Sequence, residues 1–544
     1  MPAPAAGPGR RLWRRVPVRV RQYWRLLAGC VAFLAVLAVG FSTVRVQPYV
    51  TSGGGRGGDE VTQDLAGSRD LFDPGVAHSI GLTFRAADYD RMVDAFAKEG
   101  EKEYVEADLT IDGTTVPSVG IRLKGNSTLA GLTRDGQVVG RTGGRADGGA
   151  ARGGPPAAPP GRAAQGDGPA AGAARPGAAR TALRVEEPET LPWLIRFDEF
   201  VEGRRYQGHR EIAVRVGGMG GGATVLNEAV SLRVLAGAGE ASQGYAYARF
   251  VVNDRPATAR LVVQHPDEDF ADGLDGDGVL YKALATGNFT DQGDDPTDYH
   301  DDFSQVTGKG EQDLQPVIDL LRWVADSSDA EFDAHLADHV NVGSFARYVA
   351  AQNLLLNFDD MSGPGRNYYL WYDLTTRKFT VVGWDYNLTF SGSADQGPHD
   401  AGRMGGGAPG APAGGGVPTR PGADGPRPPA GQPPQAGQPP QGAQAPGRAP
   451  GQGDGERAGG GHKLKERFLA SAAFSTGYED AYRELYREIY AGGTALTALD
   501  ELTGVVSSID GHDAQSLATE AQRLRTLIQE RAARLAEDEV VAKG

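Results

Sequence analysis

Residues 357–390, NFDDMSGPGRNYYLWYDLTTRKFTVVGWDYNLTF, contain two apolar segments separated by a polar sequence at 374–378. Aromatic and β-branched residues on both sides of a short polar turn predict an antiparallel hairpin. In such a hairpin the start of the first strand and the end of the second strand lie at the same edge. Several acids and amides stand near this edge, and we expect them to lie together. They are Asp359, Asp360, Asn367, Asp385 and Asn387.

Oxygen-bearing side chains at one edge of a hairpin suit Mg²⁺, because this ion prefers hard oxygen ligands and keeps several of its water molecules. The sequence therefore predicts a magnesium site at this edge. A second interpretation stays open, because Asp is also a common turn former at the ends of strands. Spacing alone does not separate a metal ligand from a turn residue.

Segments with the apolar spacing of helices lie before and after the hairpin in the sequence. Apolar residues at intervals of three, four and seven mark one face of an amphipathic helix. Upstream these residues are Leu314, Val317, Leu320, Leu321 and Val324, followed by Val342, Phe345, Val349 and Leu356. Downstream they are Tyr478, Tyr482, Leu485 and Ile489, followed by Leu517, Leu524, Leu527, Ile528 and Leu535. The second half of the chain is therefore predicted to be mainly helical.

The first half of the chain has the alternating apolar and polar pattern of β-strands. It is clearest at 78–84 and at 104–123, where an Asp112-Gly113 pair predicts a tight turn. Further strands are predicted at 192–200, at 206–216 and, as a hairpin, at 246–265. Between them, Leu226, Val230 and Val234 recur at helical spacing. We therefore predict an α+β fold that begins with a mixed sheet and one helix packed against it.

Two segments, 131–185 and 393–461, consist mainly of Gly, Pro, Ala and Gln and have few large apolar residues. The chain as a whole is rich in Gly and Pro, which interrupt regular secondary structure, with 79 Gly and 34 Pro in 544 residues. Such segments bury too little apolar surface to offset the entropy lost on ordering, so we predict both to be disordered. Because periodic sequence precedes and follows each one, we interpret them as insertions within one domain.

The N-terminal residues predict a membrane anchor. Residues 1–25 hold seven arginines and no acid, and the 19 residues at 26–44 carry no charge. As a helix rising about 1.5 Å per residue, this apolar segment can span a bilayer core of about 30 Å, and it is longer than the apolar region of most cleaved signal peptides. The arginines before it, against the single Arg45 after it, predict a cytoplasmic N-terminus. We expect a single-pass protein of the cell membrane, with a basic cytoplasmic leader, a transmembrane helix, a linker at 45–74 and an extracytoplasmic main domain.

Composition excludes several classes of function. The formal net charge is −15 although the leader is basic, so the remainder is strongly acidic, which argues against a nucleic-acid partner. The chain has one cysteine, Cys30, and therefore no intramolecular disulfide. It also lacks a Ser-His-Asp order, a zinc-spaced Cys/His set and a P-loop.

Five motifs follow one another along the chain. They are GIRLKGNST at 120–128, LNEAVSLRVLAGAG at 226–239, NFDDMSGPGRNYYLWYD at 357–373, VVGWDYNLTFSG at 381–392 and YEDAYRELYREIY at 478–490. This series resembles the CotH family of spore-coat protein kinases. The resemblance extends over 75–392 and 462–540, interrupted by the two predicted insertions. It implies an atypical protein-kinase-like fold of two lobes, a β-rich N-lobe and a helical C-lobe.

The resemblance also implies a site that binds ATP together with Mg²⁺ or Mn²⁺. In that site Asp359 is the catalytic aspartate, which accepts the proton of the substrate hydroxyl. Asp385 holds the metal ion on the phosphates, and Asn367 and Asn387 are candidates for further metal ligands. Asp360, the neighbour of Asp359, remains an alternative for the base.

For nucleotide binding, the resemblance implies an ion pair between a lysine of the β-rich part and an acid of its helix. Lys124 and Glu228 are the predicted pair. The competing cations are Arg196, Arg215 and Lys282.

The function implied by the resemblance is that of a membrane-anchored protein kinase. It would transfer the γ-phosphate of ATP to Ser or Thr of envelope or coat proteins. Two alternatives stay open from the sequence. One is a non-catalytic surface module for binding or assembly, and the other is an enzyme that transfers AMP on the same fold.

Overall fold

A computed structural model describes residues 60–125, 128–139, 183–217, 224–400 and 461–543. The predicted leader and the predicted transmembrane helix at 26–44 lie outside these ranges. So do 140–182 and 401–460, which form most of the two predicted insertions. Within the described ranges, no helix has both the length and the apolar character needed to cross a bilayer.

The described residues form fifteen strands and eleven helices. In chain order the strands are β1 (Gln63–Leu65), β2 (Ala77–Thr83), β3 (Val105–Ile111), β4 (Thr114–Leu123), β5 (Thr133–Arg134), β6 (Gln137–Val138), β7 (Trp193–Arg196), β8 (Arg204–Tyr206), β9 (Glu211–Val214), β10 (Tyr245–Val252), β11 (Thr258–Gln264), β12 (Gly278–Ala283), β13 (Phe303–Gln305), β14 (Tyr368–Asp373) and β15 (Phe379–Gly383). The helices are α1 (Ala86–Glu99), α2 (Leu226–Gly237), α3 (Glu268–Asp272), α4 (Gln315–Asp326), α5 (Asp329–His339), α6 (Val342–Leu354), α7 (Lys463–Ala470), α8 (Ala472–Tyr486), α9 (Thr494–Ser507), α10 (Ala514–Ala536) and α11 (Glu539–Ala542). Strands predominate before α3 and helices after it, so the predicted α+β class is confirmed.

Seven of the strands close into a barrel in the order β10-β11-β9-β7-β4-β3-β2. Strand β10 pairs in parallel with β2 and so closes the barrel, with Ala248 opposite His78. The sequence analysis predicted these strands but arranged them as an open mixed sheet. Closure joins strands that are far apart in the chain, so local periodicity does not indicate it, and it leaves no unpaired edge in this sheet.

The predicted turn between β3 and β4 is confirmed. Ile111 lies opposite Thr114, so Asp112 and Gly113 alone form the connection. Both have positive φ, 48° and 84°, the conformation that a two-residue hairpin turn requires. The register of β4 follows from this turn and brings Leu123 to the end of the strand, directly before Lys124.

Two hydrophobic cores lie in the described residues. The first fills the barrel and includes one face of α1, whose buried residues Tyr89, Met92, Val93 and Phe96 pack on it. The sequence analysis did not predict α1, although these four residues follow helical spacing.

The second core joins α2 to the four-stranded antiparallel sheet β13-β12-β14-β15 and to the later helices. The apolar stripes predicted from residue 314 onward lie almost entirely in this core, because helix faces and the sheet bury them together. Helix α2 shares this second core with Tyr247 of β10 and Leu261 of β11, so it packs against these barrel strands, in agreement with the prediction.

Ordered structure extends into both ends of the predicted insertion at 131–185. Strands β5 and β6 form a small hairpin, and Thr133 donates a backbone hydrogen bond to the carbonyl oxygen of Leu183 at 2.9 Å. Leu132, Leu183 and Val185 are buried in the barrel core. These apolar residues explain why the ends of the segment fold, and the remaining prediction of disorder concerns residues outside the described ranges.

Candidate functional site

A cleft of about 320 Å³ lies between the barrel and the four-stranded sheet. Its barrel side is formed at the ends of β4 and β9, and its other side by β12 and by the residues before β14 and after β15. Five side chains predicted from the sequence line it, namely Lys124, Asp359, Asn367, Asp385 and Asn387. The hairpin of β14 and β15 thus brings together the polar residues at its open end, because Tyr368 pairs with Gly383.

Asp385 stands two residues beyond the end of β15. Its φ of 59° lies in the left-handed region, which Asp and Asn adopt more readily than other residues with a Cβ. Its Oδ1 accepts a hydrogen bond from Nη2 of Arg215 at 2.6 Å. Burial acts to raise the pKa of Asp385, but the positive charges of Arg215, Lys124 and Lys282 outweigh it and lower that pKa. Asp385 is therefore ionised at neutral pH.

Arg215, directly after β9, forms the buried ion pair with Glu228 of α2. Its Nε donates to Oε2 of Glu228 at 2.8 Å, and its Nη2 contacts Oε1 of the same carboxylate. Since Nη2 also donates to Asp385, one guanidinium joins two acids from different elements. The predicted pair of Lys124 and Glu228 is therefore not formed, because the end of β9 and not that of β4 lies against α2. Arg196, another competing cation, pairs instead with Asp198.

Three cations surround the indole ring of Trp384. The Nζ atoms of Lys124 and Lys282 lie 5.1 and 5.8 Å from the ring centroid, and Cζ of Arg215 lies 5.2 Å from it. Neither lysine forms a salt bridge with a carboxylate in the part of the chain that the structure describes. Burial and the neighbouring positive charges lower the pKa of both lysines. An anion in the cleft would relieve this repulsion between like charges.

Asp359 lies in the turn between α6 and β14 and is 7% exposed. Its Oδ1 accepts a hydrogen bond from the backbone amide of Gly365 at 2.5 Å, and its Oδ2 accepts one from Nδ2 of Asn367 at 2.9 Å. Burial and the negative charge of Asp385 raise the pKa of Asp359 to about 7, although these two hydrogen bonds act against the shift. The influence of Asp385 on this pKa agrees with the position of both carboxylates in one cleft.

Asp360 is directed elsewhere. Its Oδ1 accepts a hydrogen bond from the backbone amide of Ser362 at 2.8 Å, and its Oδ2 forms an ion pair with Lys465 of α7. Asp360 is buried and does not line the cleft. Of the two adjacent aspartates, the geometry therefore favours Asp359 as the one that can meet a substrate.

The two asparagines differ in what they contact. Nδ2 of Asn367 is directed at Asp359, where it also donates to the backbone carbonyl oxygen at 3.0 Å, so only Oδ1 of Asn367 could bind a metal ion. The backbone carbonyl of Asn387 accepts a hydrogen bond from Nδ2 of Asn227 at 2.7 Å. This contact ties the segment after Asp385 to α2.

Further basic residues extend the cleft past Trp384. Lys102 and Arg122 line it, and burial together with the charge of Arg122 lowers the pKa of Lys102 to about 8. Nδ1 of His265 lies 3.0 Å from Oε2 of Glu211, and its ring meets Trp384 edge to face at 5.3 Å. Burial lowers the pKa of His265 to about 4, so this histidine is neutral at physiological pH.

The side chains present fit a ligand that carries phosphates together with a divalent cation. In the described ranges no group of three or more His, Cys, Asp or Glu side chains is arranged to hold a metal ion. A metal in this cleft would therefore use one or two carboxylates, amide oxygens and the oxygens of the substrate itself, which is the usual arrangement for Mg²⁺ beside phosphates. Lys124 and Lys282, which have no carboxylate partner within the described ranges, supply the positive charge that phosphates require.

Sequence reasoning missed the central role of Arg215. It appeared only as a competing cation, because its partners Glu228 and Asp385 stand 13 and 170 positions away. Lys102, Arg122 and His265 were not singled out at all. Only their positions in the sequence could have indicated that they lie in the cleft. Arg122 precedes the predicted Lys124 by two residues, and His265 directly follows the β11 hairpin strand.

Comparison with known proteins agrees with the motif series. No curated protein matches the chain. A family model described as CotH kinase protein matches residues 186–423, which include Arg215, Glu228, Lys282 and both aspartates of the cleft. Over these residues the chain is therefore similar to the CotH kinase family, in agreement with the resemblance of the motif series.

Proposed function

We propose that this chain is an atypical protein kinase that transfers the γ-phosphate of ATP to Ser or Thr hydroxyl groups of envelope or coat proteins. One observation supports the proposal most strongly. Asp359 and Asp385 line a single cleft in which Lys124 and Lys282 have no carboxylate partner among the described residues. Two acids beside uncompensated cations suit a reaction that moves a phosphoryl group, where catalysis is mainly positioning and charge neutralisation.

In this proposal the cations hold the phosphates. Lys124, directly after β4, and Lys282 of β12 both lie near the indole ring of Trp384 and would neutralise the phosphate chain. Arg215 already forms ion pairs with two acids, Glu228 and Asp385. Its proposed role is therefore to orient Asp385 rather than to bind the nucleotide. Glu228 completes that arrangement by fixing the other side of the guanidinium.

The two carboxylates have different roles. Mg²⁺ or Mn²⁺, when bound, would neutralise charge that develops on the phosphates. Asp385, kept ionised by its three cationic neighbours, would hold the metal ion, and Asn367 and Asn387 are the proposed amide ligands. Asp359, with a pKa raised to about 7, would orient the substrate hydroxyl and accept its proton.

The wider organisation belongs to the same proposal. The barrel together with α2 would act as the N-lobe of a kinase-like fold, and the four-stranded sheet with the later helices as the C-lobe. The uncharged segment at 26–44 and the arginines before it support a membrane anchor with the domain outside the cytoplasm. No nucleic-acid partner is proposed, since the chain beyond the leader is acidic.

The test uses the full-length protein in detergent, incubated with casein and with ATP labelled at the γ or the α position. Each reaction contains Mg²⁺ or Mn²⁺. Incorporation of the γ label into the protein or casein supports the kinase. Incorporation of the α label would instead show AMP transfer. If neither label is incorporated, the result supports a non-catalytic binding module.

Three variants locate the site. Asp359→Asn and Asp385→Asn are expected to lower γ-label transfer by about 100-fold or more, since each removes a group that acts in the transition state. Asp254→Asn is the matched control, because Asp254 is exposed in the turn between β10 and β11. Full activity in both cleft variants would show that the reaction occurs elsewhere.

A further inference from the structure

Helix α2, which carries Glu228, has no N-terminal cap of its own. Val225 precedes its first residue with φ 55°, and no side chain of that residue caps the helix. The first amide groups of a helix have no partner within it. Val225 and Leu226 are only 2% and 0% exposed, so bulk water does not reach this end of the helix. A buried helix start of this kind needs a partner from elsewhere in the protein.

Glu520 of α10 supplies that partner. Its Oε1 accepts a hydrogen bond from the backbone amide of Leu226 at 2.9 Å. Its Oε2 accepts one from Oγ1 of Thr224 at 2.8 Å and a longer one from the Thr224 amide at 3.3 Å. Glu520 is 5% exposed, and its negative charge lies at the positive end of the α2 dipole.

The same part of α10 also contacts the segment that follows Asp385. Nη1 of Arg523, three residues after Glu520, donates to the carbonyl oxygen of Phe390 at 3.2 Å. Residues three apart lie on one face of a helix, so one face of α10 touches both α2 and this segment. These are the elements that carry Glu228 and Asp385, the two acids joined by Arg215.

We propose that Glu520 is a positioning residue that fixes the first turn of α2 and thereby holds Glu228 against Arg215. Loss of its carboxylate frees the buried amide of Leu226 and lets the start of α2 move. Arg215 then loses its fixed orientation toward Asp385. The effect on catalysis rests on the proposed kinase function, whereas the effect on α2 does not.

The test compares Glu520→Ala with Glu530→Ala in the full-length protein, because Glu530 is an exposed acid of the same helix. Amide hydrogen exchange is followed by mass spectrometry. In Glu520→Ala the protection of 224–231 is expected to fall by about tenfold or more, while the β10–β11 hairpin keeps its wild-type protection. In Glu530→Ala both segments keep the wild-type values.

A kinetic measurement separates positioning from a general loss of stability. In Glu520→Ala we expect kcat for γ-phosphate transfer to fall by about tenfold or more and KM for ATP to change by less than about threefold. Lys124 and Lys282, which would hold the nucleotide, do not depend on α2. A rise in KM with unchanged kcat would contradict the proposed route through Arg215 and Asp385.

A second variant keeps the test decisive if Glu520→Ala does not fold. Glu520→Gln retains the packing and one acceptor oxygen, and a loss of protection of about threefold or more, confined to 224–231, is expected. Unchanged protection of these residues, or a loss spread evenly over the barrel, overturns the proposal. A wild-type protein that exchanges as expected but transfers no phosphate would overturn the proposed function alone.

Discussion

Asp359 and Asp385 share a cleft and yet have opposite pKa shifts, because burial dominates at Asp359 whereas nearby positive charges outweigh burial at Asp385. Asp359 is buried and receives neutral amide donors from Gly365 and Asn367. Asp385 is held by the guanidinium of Arg215 and lies near two lysines. Environments that separate the pKa values of neighbouring carboxylates assign one as the base and the other as the permanent anion.

The ionisation of Asp359 predicts a pH dependence. Its pKa of about 7 means that the carboxyl group is protonated below this pH and becomes a base above it. The value of kcat/KM for ATP, which reports the free enzyme, is expected to rise through a midpoint near pH 7. Initial rates measured between about pH 5.5 and 8.5 test this expectation. A flat profile over that range would show that Asp359 is not the base.

Arg215 predicts a large effect on stability. Arg215→Met leaves Glu228 and Asp385 buried or partly buried without their cation, and breaking a buried ion pair costs about 3–5 kcal/mol. The free energy of unfolding in urea measures the loss. Arg215→Lys keeps the charge and should lose less, although a single ammonium cannot bridge both acids in the same planar geometry. Equal stability of Arg215→Met and wild type would contradict the proposed network.

At the scale of elements, α7 supports the turn that holds Asp359. Lys465, near the start of α7, forms an ion pair with Asp360. His462 reinforces this position, with Nε2 lying 3.1 Å from the hydroxyl of Tyr368 in β14. These two contacts hold the start of α7 against the residues that frame the cleft.

This tie predicts coupling between Lys465 and Asp360. Lys465→Met leaves the buried carboxylate of Asp360 without a cation and should lower the free energy of unfolding by about 3–5 kcal/mol. The double variant Lys465→Met, Asp360→Asn should lose less than the two single variants together, because no uncompensated charge remains. A double-mutant cycle by urea unfolding measures this, and strictly additive losses would argue against the ion pair.

Most elements near the cleft were predictable from local sequence. The hairpin of β14 and β15 and the turn at Asp112 and Gly113 follow from alternation and turn chemistry over a few residues. Helix α1 was missed although Tyr89, Met92, Val93 and Phe96 have helical spacing. The segment with this helical spacing is short, and it lies between two segments that the sequence clearly predicts as strands.

At the scale of the whole molecule, the missed features are those formed between distant parts of the chain. Barrel closure by β10 and β2, the pairing of Arg215 and the cap from Glu520 all join residues that no local pattern relates. The sequence analysis could place Asp359 and Asp385 together because a single hairpin and its preceding turn carry both. It could not choose the cation for Glu228, because that choice depends on how β4, β9 and α2 pack in three dimensions.

The stability of the whole protein is expected to depend on pH, because buried groups titrate at different pH values in the folded and unfolded states. His265 has a folded-state pKa of about 4, below the value of 6.5 for an unperturbed histidine, so the unfolded chain binds the proton more readily between these two values. The contribution of His265 to the free energy of unfolding should therefore rise with pH from about 4 to 6.5, by up to about 3 kcal/mol, whereas Asp359, whose folded-state pKa of about 7 lies above the usual carboxyl value, contributes in the opposite direction. Urea unfolding across this range measures the slope.

Two variants identify the source of that slope. His265→Gln should make the slope less positive, because it removes the group whose contribution to stability rises with pH. His335→Gln, which changes an exposed histidine on α5, should retain the wild-type slope. An unchanged slope in His265→Gln would assign the pH dependence to other buried groups.

The central claim is that Asp385 and the cations around Trp384 form one site for ATP and a divalent cation. Calorimetric titration of the full-length protein with a non-hydrolysable ATP analogue, with and without Mg²⁺, tests it directly. In the wild type Mg²⁺ should strengthen binding by about tenfold or more, and Asp385→Asn should lose this gain while Asp254→Asn keeps it. Undiminished Mg²⁺-dependent binding in Asp385→Asn would contradict the claim.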